Sequence, residues 1–305
     1  MVFDKYESQR LRMGSILPQL IVNGLIAGSI YALVASGFSL VYYVIKFLHF
    51  AHGAVLTISA YLFFVFLNVL GMNFVLALLL AIILAIALGL LINFVVYKPL
   101  RKRKSSNVVL LIISLTLLSF FTSFALAVFG SSTKTILLAQ QNIIFDFGAI
   151  RFTIIQLAAF LLAIFLFFAL WFIMKKTKLG KSMRALADNK DVAQVVGINP
   201  EKVYTYTFII ASFLAAIAGI IIGLDQNVFP RLGFNFIVKG FISSVVGGIS
   251  SVPGAIVGGF FIGLAENLGI WVLPSGFKSV ISFTILFIFL LFRPQGILGG
   301  KKDGI

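Results

Sequence analysis

A chain of 305 residues ordinarily makes one or two water-soluble domains, but 61% hydrophobic and 11% charged residues, with a mean hydropathy of +1.12, exclude that outcome. The formal charge of +15 does not point to nucleic acid, because fifteen of the 24 Lys and Arg sit in three short segments, Lys98 to Lys104, Lys175 to Lys202 and Arg293 to Lys302. Such clusters mark cytoplasmic loops and face anionic membrane lipid.

Met1 to Gly14 is polar and mixed in charge, without a small-residue cleavage site, so the first apolar run is expected to stay as an anchor. Apolar pieces follow at Ile16 to Val44, Ala54 to Leu70, Phe74 to Tyr97, Val108 to Phe129, Thr153 to Met174, Val203 to Leu224, Phe234 to Ile249, Gly254 to Leu273 and Ser279 to Phe292. A crossing needs about 20 apolar residues, and these runs stay apolar on every face, unlike the alternating strands of an outer-membrane barrel. The expected fold is therefore all-α, a polytopic transmembrane helical bundle with about eight or nine apolar segments, some discontinuous or re-entrant. Residues 1–305 make a single transmembrane domain in this reading. With Lys98 to Lys104 and Lys175 to Lys202 both inside, Gly130 to Phe152 is an outer loop. Counting back from Lys98 places the N-terminus outside, whereas Lys5, Arg10 and Arg12 argue mildly for inside.

Two regions depart from ordinary apolar helix. Ser36 to Gly53 carries Lys46, His49 and His52, and Lys239 to Gly254 carries Gly247, Gly248, Ser250, Ser251 and Pro253. Gly37, Gly53, Gly247, Gly248, Pro253 and Gly254 are the candidate hinges. Both regions end in a Gly-Ala that enters a fresh apolar run, Gly53-Ala54 and Gly254-Ala255. Broken helices at matching places in two halves point to a substrate path. Small residues also permit close helix packing, as at Gly219 and Gly223 or Gly254 and Gly258, and composition does not separate the two readings.

Lys175 to Lys202 is the long internal polar stretch. Arg184 to Val196 has helical spacing, with Leu186, Val192 and Val196 available for one stripe, Gly197 as a C-terminal cap and Pro200 as a stop. One short amphipathic helix at the membrane surface is expected, binding either lipid or a groove on a partner.

A charge at the bilayer centre costs about 2.5–3.5 kcal/mol on insertion scales, so Asp225, Lys239, Glu266 and Lys278 need partners, water or an interfacial position. Asp225 reads as a solvated cap, Lys278 as a snorkelling side chain, and Lys239 as lying near a helix end. Glu266, inside an apolar run, either lines a polar cavity or pairs with a neighbouring helix. His49 and His52 lack the further ligands of a metal site, so no metal is expected. They are expected to bond backbone where the helix breaks, or to line the path. Asn23, Ser29 and Tyr31 are expected to face the bundle interior. No nucleophile or acid/base set stands out, which argues against an enzyme.

The string Asn23-Gly-Leu-Ile-Ala-Gly-Ser-Ile-Tyr-Ala-Leu-Val-Ala-Ser-Gly-Phe-Ser-Leu-Val-Tyr, followed by Lys46-Phe-Leu-His-Phe-Ala-His-Gly, closely resembles the opening of LivH-type permeases of bacterial branched-chain amino acid ABC transporters. Arg184-Ala-Leu-Ala-Asp-Asn and Ala193-Gln-Val-Val-Gly-Ile are similar to that family's cytoplasmic coupling loop, and Lys239-Gly-Phe-Ile-Ser-Ser-Val-Val-Gly-Gly-Ile and Val252-Pro-Gly-Ala-Ile-Val-Gly-Gly-Phe-Phe-Ile-Gly-Leu-Ala-Glu to its late signature. The blocks run from Asn23 to Glu266 in family order, and Lys98 to Phe152 carries no matching block. The resemblance implies an inner-membrane permease subunit of an ATP-driven amino acid importer. It also implies cytoplasmic ATP-binding subunits, a second, LivM-like permease subunit and an extracytoplasmic solute-binding protein. Arg184, Asp188, Asp191, Ala193 and Gly197 would then couple to the ATPase. The chain has no Walker phosphate loop, so it is expected to bind no cofactor itself and to leave ATP hydrolysis to its partners. The alternative is a passive channel or ion-coupled carrier for a small polar solute such as an amide.

Overall fold

The computed structural model describes residues 2–138 and 143–299, with side chains from residue 16 on. Lys5, Arg10, Arg12, Lys301 and Lys302, weighed above for orientation, lie outside these described side chains. Helix α1 (Val2–Ile45) contributes the span Ile16–Ile45 and carries Pro18 without a break. After it come α2 (His52–Phe64), continued by a π-helical stretch Val65–Val69, and then α3 (Phe74–Leu91). A second π stretch, Ile92–Tyr97, leads into α4 (Lys98–Lys102), and α5 (Asn107–Phe129) follows. A two-stranded antiparallel hairpin, β1 (Ile144–Asp146) and β2 (Arg151–Thr153), then pairs Ile144 with Thr153. Its strands enter α6 (Ile154–Lys176), which opens with a capping box between Thr153 and Gln156. The rest is α7 (Lys178–Asp188), α8 (Lys190–Val195), α9 (Pro200–Gln226), α10 (Leu232–Gly247), α11 (Val252–Gly269) and α12 (Lys278–Phe292).

Among the described residues eight helices are long and apolar enough to cross a membrane, and α10 adds a shorter apolar one. Helices α1 and α9 form the buried centre, while α3, α5, α6 and α12 show most of their apolar surface at the perimeter, as lipid-facing helices do. Orientation follows from contacts. The Gln19 end of α1 meets the hairpin, where Gln19 Oε1 accepts from Arg151 N at 2.6 Å. The other end of α1, at Tyr43, borders a cavity with Trp171 and Arg184. The N-terminal end of the α1 span therefore lies on the face of the 130–152 loop, opposite the basic loops, in agreement with the backward count from Lys98.

Close packing explains many of the glycines. Gly24, Gly28 and Ala32 recur every fourth residue on α1 and face Gly259 and Gly263 of antiparallel α11. A Cβ at Gly28 would come within 2.9 Å of the Phe260 Cα, and one at Gly24 within 3.0 Å of the Leu264 Cα. Gly219 of α9 lies against Leu56 and Ser59 of α2, and Gly254 and Gly258 lie against Gly247. Gly37 is not a hinge: α1 runs through it to Ile45, and its missing side chain makes room for the His52 ring.

The two real interruptions are residues 46–51 and 248–251. At the first, Lys46 adopts φ 66 and ends α1. Gly37 lies eight residues before that end yet touches His52, so α2 begins about 12 Å back from the end of α1 at 1.5 Å rise per residue. The connecting segment is thus re-entrant. At the second, Gly248 adopts φ 112, which suits glycine, and Ser251 Oγ caps α11 by accepting from Gly254 N at 3.1 Å. Gly247 is the last residue of α10, while Pro253 and Gly254 lie in the first turn of α11. The last carbonyls of α10 are satisfied from the C-terminal segment, where Ile297 N donates to Val246 O and Leu298 N to Gly247 O, each at 2.9 Å.

Candidate functional site

In the interior, the charged residue hardest to place by sequence, Glu266, is fully buried on α11 and gathers three donors from three other helices. Tyr31 Oη of α1 donates to Oε2 at 2.8 Å, while Lys239 Nζ of α10 and Ser282 Oγ of α12 both donate to Oε1. Lys239 also donates to Ser282 at 2.9 Å. Lys239 sits in the middle of α10, not near its end, because its charge is met by Glu266 across the helix interface. The pairing reading of Glu266 is the one realised. Glu266 accepts from three groups and Lys239 donates to two, the kind of polar satisfaction under which a buried pair is tolerated.

Around the re-entrant segment, His49 is buried and its Nδ1 lies 3.0 Å from Tyr97 Oη. Its ring also packs edge-on against Phe208. The buried ring of His52 fits the space left by Gly37, and its Nε2 has no hydrogen-bond partner among the described residues. The expectation that these imidazoles bond broken backbone is corrected here. The free amide at the break, Ala51 N, is instead satisfied by Ser114 Oγ of α5 at 2.9 Å. Ser114 and Tyr97 were missed because they come from helices far along the chain and no local spacing announces them. The described residues hold no group of three or more His, Cys, Asp or Glu that could bind a metal ion. Ser29 is buried and donates to Ile26 O of its own helix at 2.7 Å.

At the hairpin-side ends of α1, α6, α9, α11 and α12 lies a polar chamber of about 200 Å³. Asn23 belongs to its wall, and accepts from Gln19 Nε2 at 2.8 Å. Asp225 and Lys278 also line it. Both are half-buried and held by amides, Asp225 Oδ1 accepting from Gln156 Nε2 and Lys278 Nζ donating to Asn267 Oδ1, each at 3.1 Å. Both stand at helix ends, as the sequence reading placed them, Asp225 one residue before the end of α9 and Lys278 at the start of α12, and each has an amide partner in addition.

On the basic face, the expected single helix over 184–196 is two. Asn189 ends α7 and caps α8, its Oδ1 accepting from Asp191 N at 2.9 Å and Val192 N at 3.1 Å. The resulting bend separates the proposed stripe. Gly180, Met183, Leu186 and Ala193 are buried, while Val192, Val195 and Val196 point away from the bundle, with Val195 87% exposed. Arg184 donates to Met174 O and so fastens α7 to the end of α6. Asp188 and Asp191 are exposed beside the valines, and Gly197, at φ 85, turns the chain toward α9. On the neighbouring loop Arg101 forks onto Glu201, Nη2 to Oε2 at 2.9 Å and Nε to Oε1 at 3.3 Å, joining α4 to the first turn of α9. The elbow is thus a ledge braced from behind, with an exposed apolar tip.

Comparison with known proteins fits this architecture. A family model described as the permease component of branched-chain amino acid transport systems matches residues 20–290. The high-affinity branched-chain amino acid transport system permease protein BraD of Pseudomonas aeruginosa is 35% identical over 295 residues, covering 92% of this chain and 95% of BraD. LivH of Escherichia coli K12 is 33% identical over 299 residues, with coverage of 92% and 95%. Among solved structures, a chain of PsaBC from Streptococcus pneumoniae in complex with Fab shares the fold, with a TM-score of 0.52 over 90% of this chain and 91% of that one at 14% identity. With the family model covering most of its length and relatives above 30% identity along nearly all of it, this multi-pass membrane chain belongs to the permease family of branched-chain amino acid transport systems.

Proposed function

We propose that the chain is a permease subunit of an ATP-driven importer for branched-chain or other small amino acids in the cell inner membrane. The whole chain would act as one transmembrane domain, with residues 175–202 as its coupling loop. The observation that carries this is the ledge: Val192, Val195 and Val196 exposed together on a surface whose other side is locked to the bundle by Met183, Leu186 and Ala193. An exposed apolar tip flanked by Asp188 and Asp191 suits a groove on a partner protein. Force applied there passes through α7 to α6 at Arg184 and through Gly197 to α9, a helix of the buried centre.

In this reading ATP is bound and hydrolysed by cytoplasmic partner subunits, and this chain holds no cofactor. A second permease subunit, LivM-like, would complete the pore, and an extracytoplasmic solute-binding protein would deliver the ligand to the outer face. Closure of the ATPases rocks the bundle and exchanges access between the two faces. The family match favours this over a passive channel or ion-coupled carrier, for which the ledge would have only lipid to touch. Residues Arg184 and Ala193 position the ledge, while Asp188, Asp191 and the three valines meet the partner. Deletion of Asp191 to Gly197 is expected to abolish assembly with the ATPase or to uncouple uptake from hydrolysis. Undiminished ATP-dependent uptake by that deletion would defeat the proposal.

A further inference from the structure

The outer chamber holds an acidic and a basic side chain, Asp225 and Lys278, that form no ion pair with each other. Among the described residues, the ion pairs are Arg101 with Glu201, Arg151 with Asp146 and Lys239 with Glu266, and neither Asp225 nor Lys278 takes part. Each is steadied instead by a neutral amide, Gln156 for Asp225 and Asn267 for Lys278. Half-burying separated charges carries a desolvation cost that a direct pair would relieve, so this arrangement leaves electrostatic demand for a ligand. The demand is for both signs at once, within one chamber of about 200 Å³. That is the scale of a small solute such as a free amino acid. The same chamber is lined on one side by Ile26 and Ile30 of α1, an apolar surface for a side chain.

We infer that this chamber binds the zwitterionic main chain of a free α-amino acid, its ammonium on Asp225, its carboxylate on Lys278 and its side chain against Ile26 and Ile30. The inference deepens the importer reading and rests on it, by adding a solute site within the permease itself. Its position is apt for a handover: it lies at the outer face. It is also adjacent in sequence to the buried cluster, since Ile30 and Asn267 neighbour Tyr31 and Glu266.

The test uses the assembled transporter in nanodiscs without its solute-binding protein, titrated with L-leucine, 3-methylbutylamine and 4-methylpentanoate. Leucine is expected to bind about tenfold or more tightly than either single-charge analogue. Asp225→Asn should weaken leucine and the amine together and spare the acid. Lys278→Gln should weaken leucine and the acid and spare the amine. A general folding defect would weaken all three, and the analogue series on the unaltered protein needs no variant. Equal binding of the three ligands or no binding of leucine by the unaltered protein, or unchanged leucine binding in both folded variants, overturns the site. ATP-dependent leucine uptake, measured on the same preparation with the solute-binding protein added, separates the two levels. Uptake without the charge-by-charge pattern removes this site alone, and absence of uptake removes the importer reading as well.

Discussion

Replacing Glu266 by Gln removes the negative member of the buried pair while keeping its shape. In the native protein the carboxylate accepts from Tyr31, Lys239 and Ser282. The amide retains one acceptor oxygen, so one side of the cluster meets a donor instead, and Lys239, with a side chain 13% exposed, keeps its charge without a counter-ion. Removing one partner of a buried ion pair typically costs about 3–5 kcal/mol, whereas replacing both is often close to neutral. Glu266→Gln and Lys239→Met should therefore each destabilise the protein by about 3 kcal/mol, and the double variant should return to within about 1 kcal/mol of the native protein. The assay is equilibrium unfolding in mixed micelles for all four proteins, read as a double-mutant cycle. A coupling free energy below about 0.5 kcal/mol would mean that the charges do not sense each other, and would refute the cluster as described.

Three further outcomes are expected. Val195→Asp with Val196→Asp should abolish co-purification of the ATPase while leaving the unfolding midpoint of the isolated chain unchanged, since both valines are exposed and pack against nothing in the bundle. Ser114→Ala should strip the Ala51 amide of its acceptor and cost about 1–3 kcal/mol in the same unfolding assay, and Ser114→Thr should recover most of it. Gly28→Leu should push α1 from α11 and cost about 1–3 kcal/mol or more, measured as a loss of folded protein on size exclusion, because even a Cβ there meets backbone.

The spans were legible because lipid demands long uninterrupted apolar helices, and the observed helices follow the apolar runs to within a few residues. Local chemistry was less completely read. Asn189 is a strong N-cap residue followed by the acidic Asp191, a helix start that splits the elbow, yet the apolar spacing from Arg184 to Val196 masked it. Glu266 announced its need for a partner but not which one, since Lys239, Tyr31 and Ser282 are brought to it only by helix packing. The same limit explains Asp225 and Lys278: each looks like a helix-end charge from its neighbours in sequence, and the amides that hold them, Gln156 and Asn267, sit on other elements or an adjacent helix end. Gly37 was ambiguous in principle, because a glycine that bends a helix and one that admits a neighbouring ring have the same local signature.

The most extensive helix–helix contact among the described residues joins α1 to α11, segments separated by most of the polypeptide. During synthesis the first helix must reside in lipid while more than two hundred residues are added before its companion arrives. A groove of Gly24, Gly28 and Ala32 is well suited to that wait, for it presents no unsatisfied polar side chain to hydrocarbon. Maturation of the protein is thereby deferred to its final stage, and a chain truncated ahead of Val252 would have a membrane topology without a finished tertiary structure.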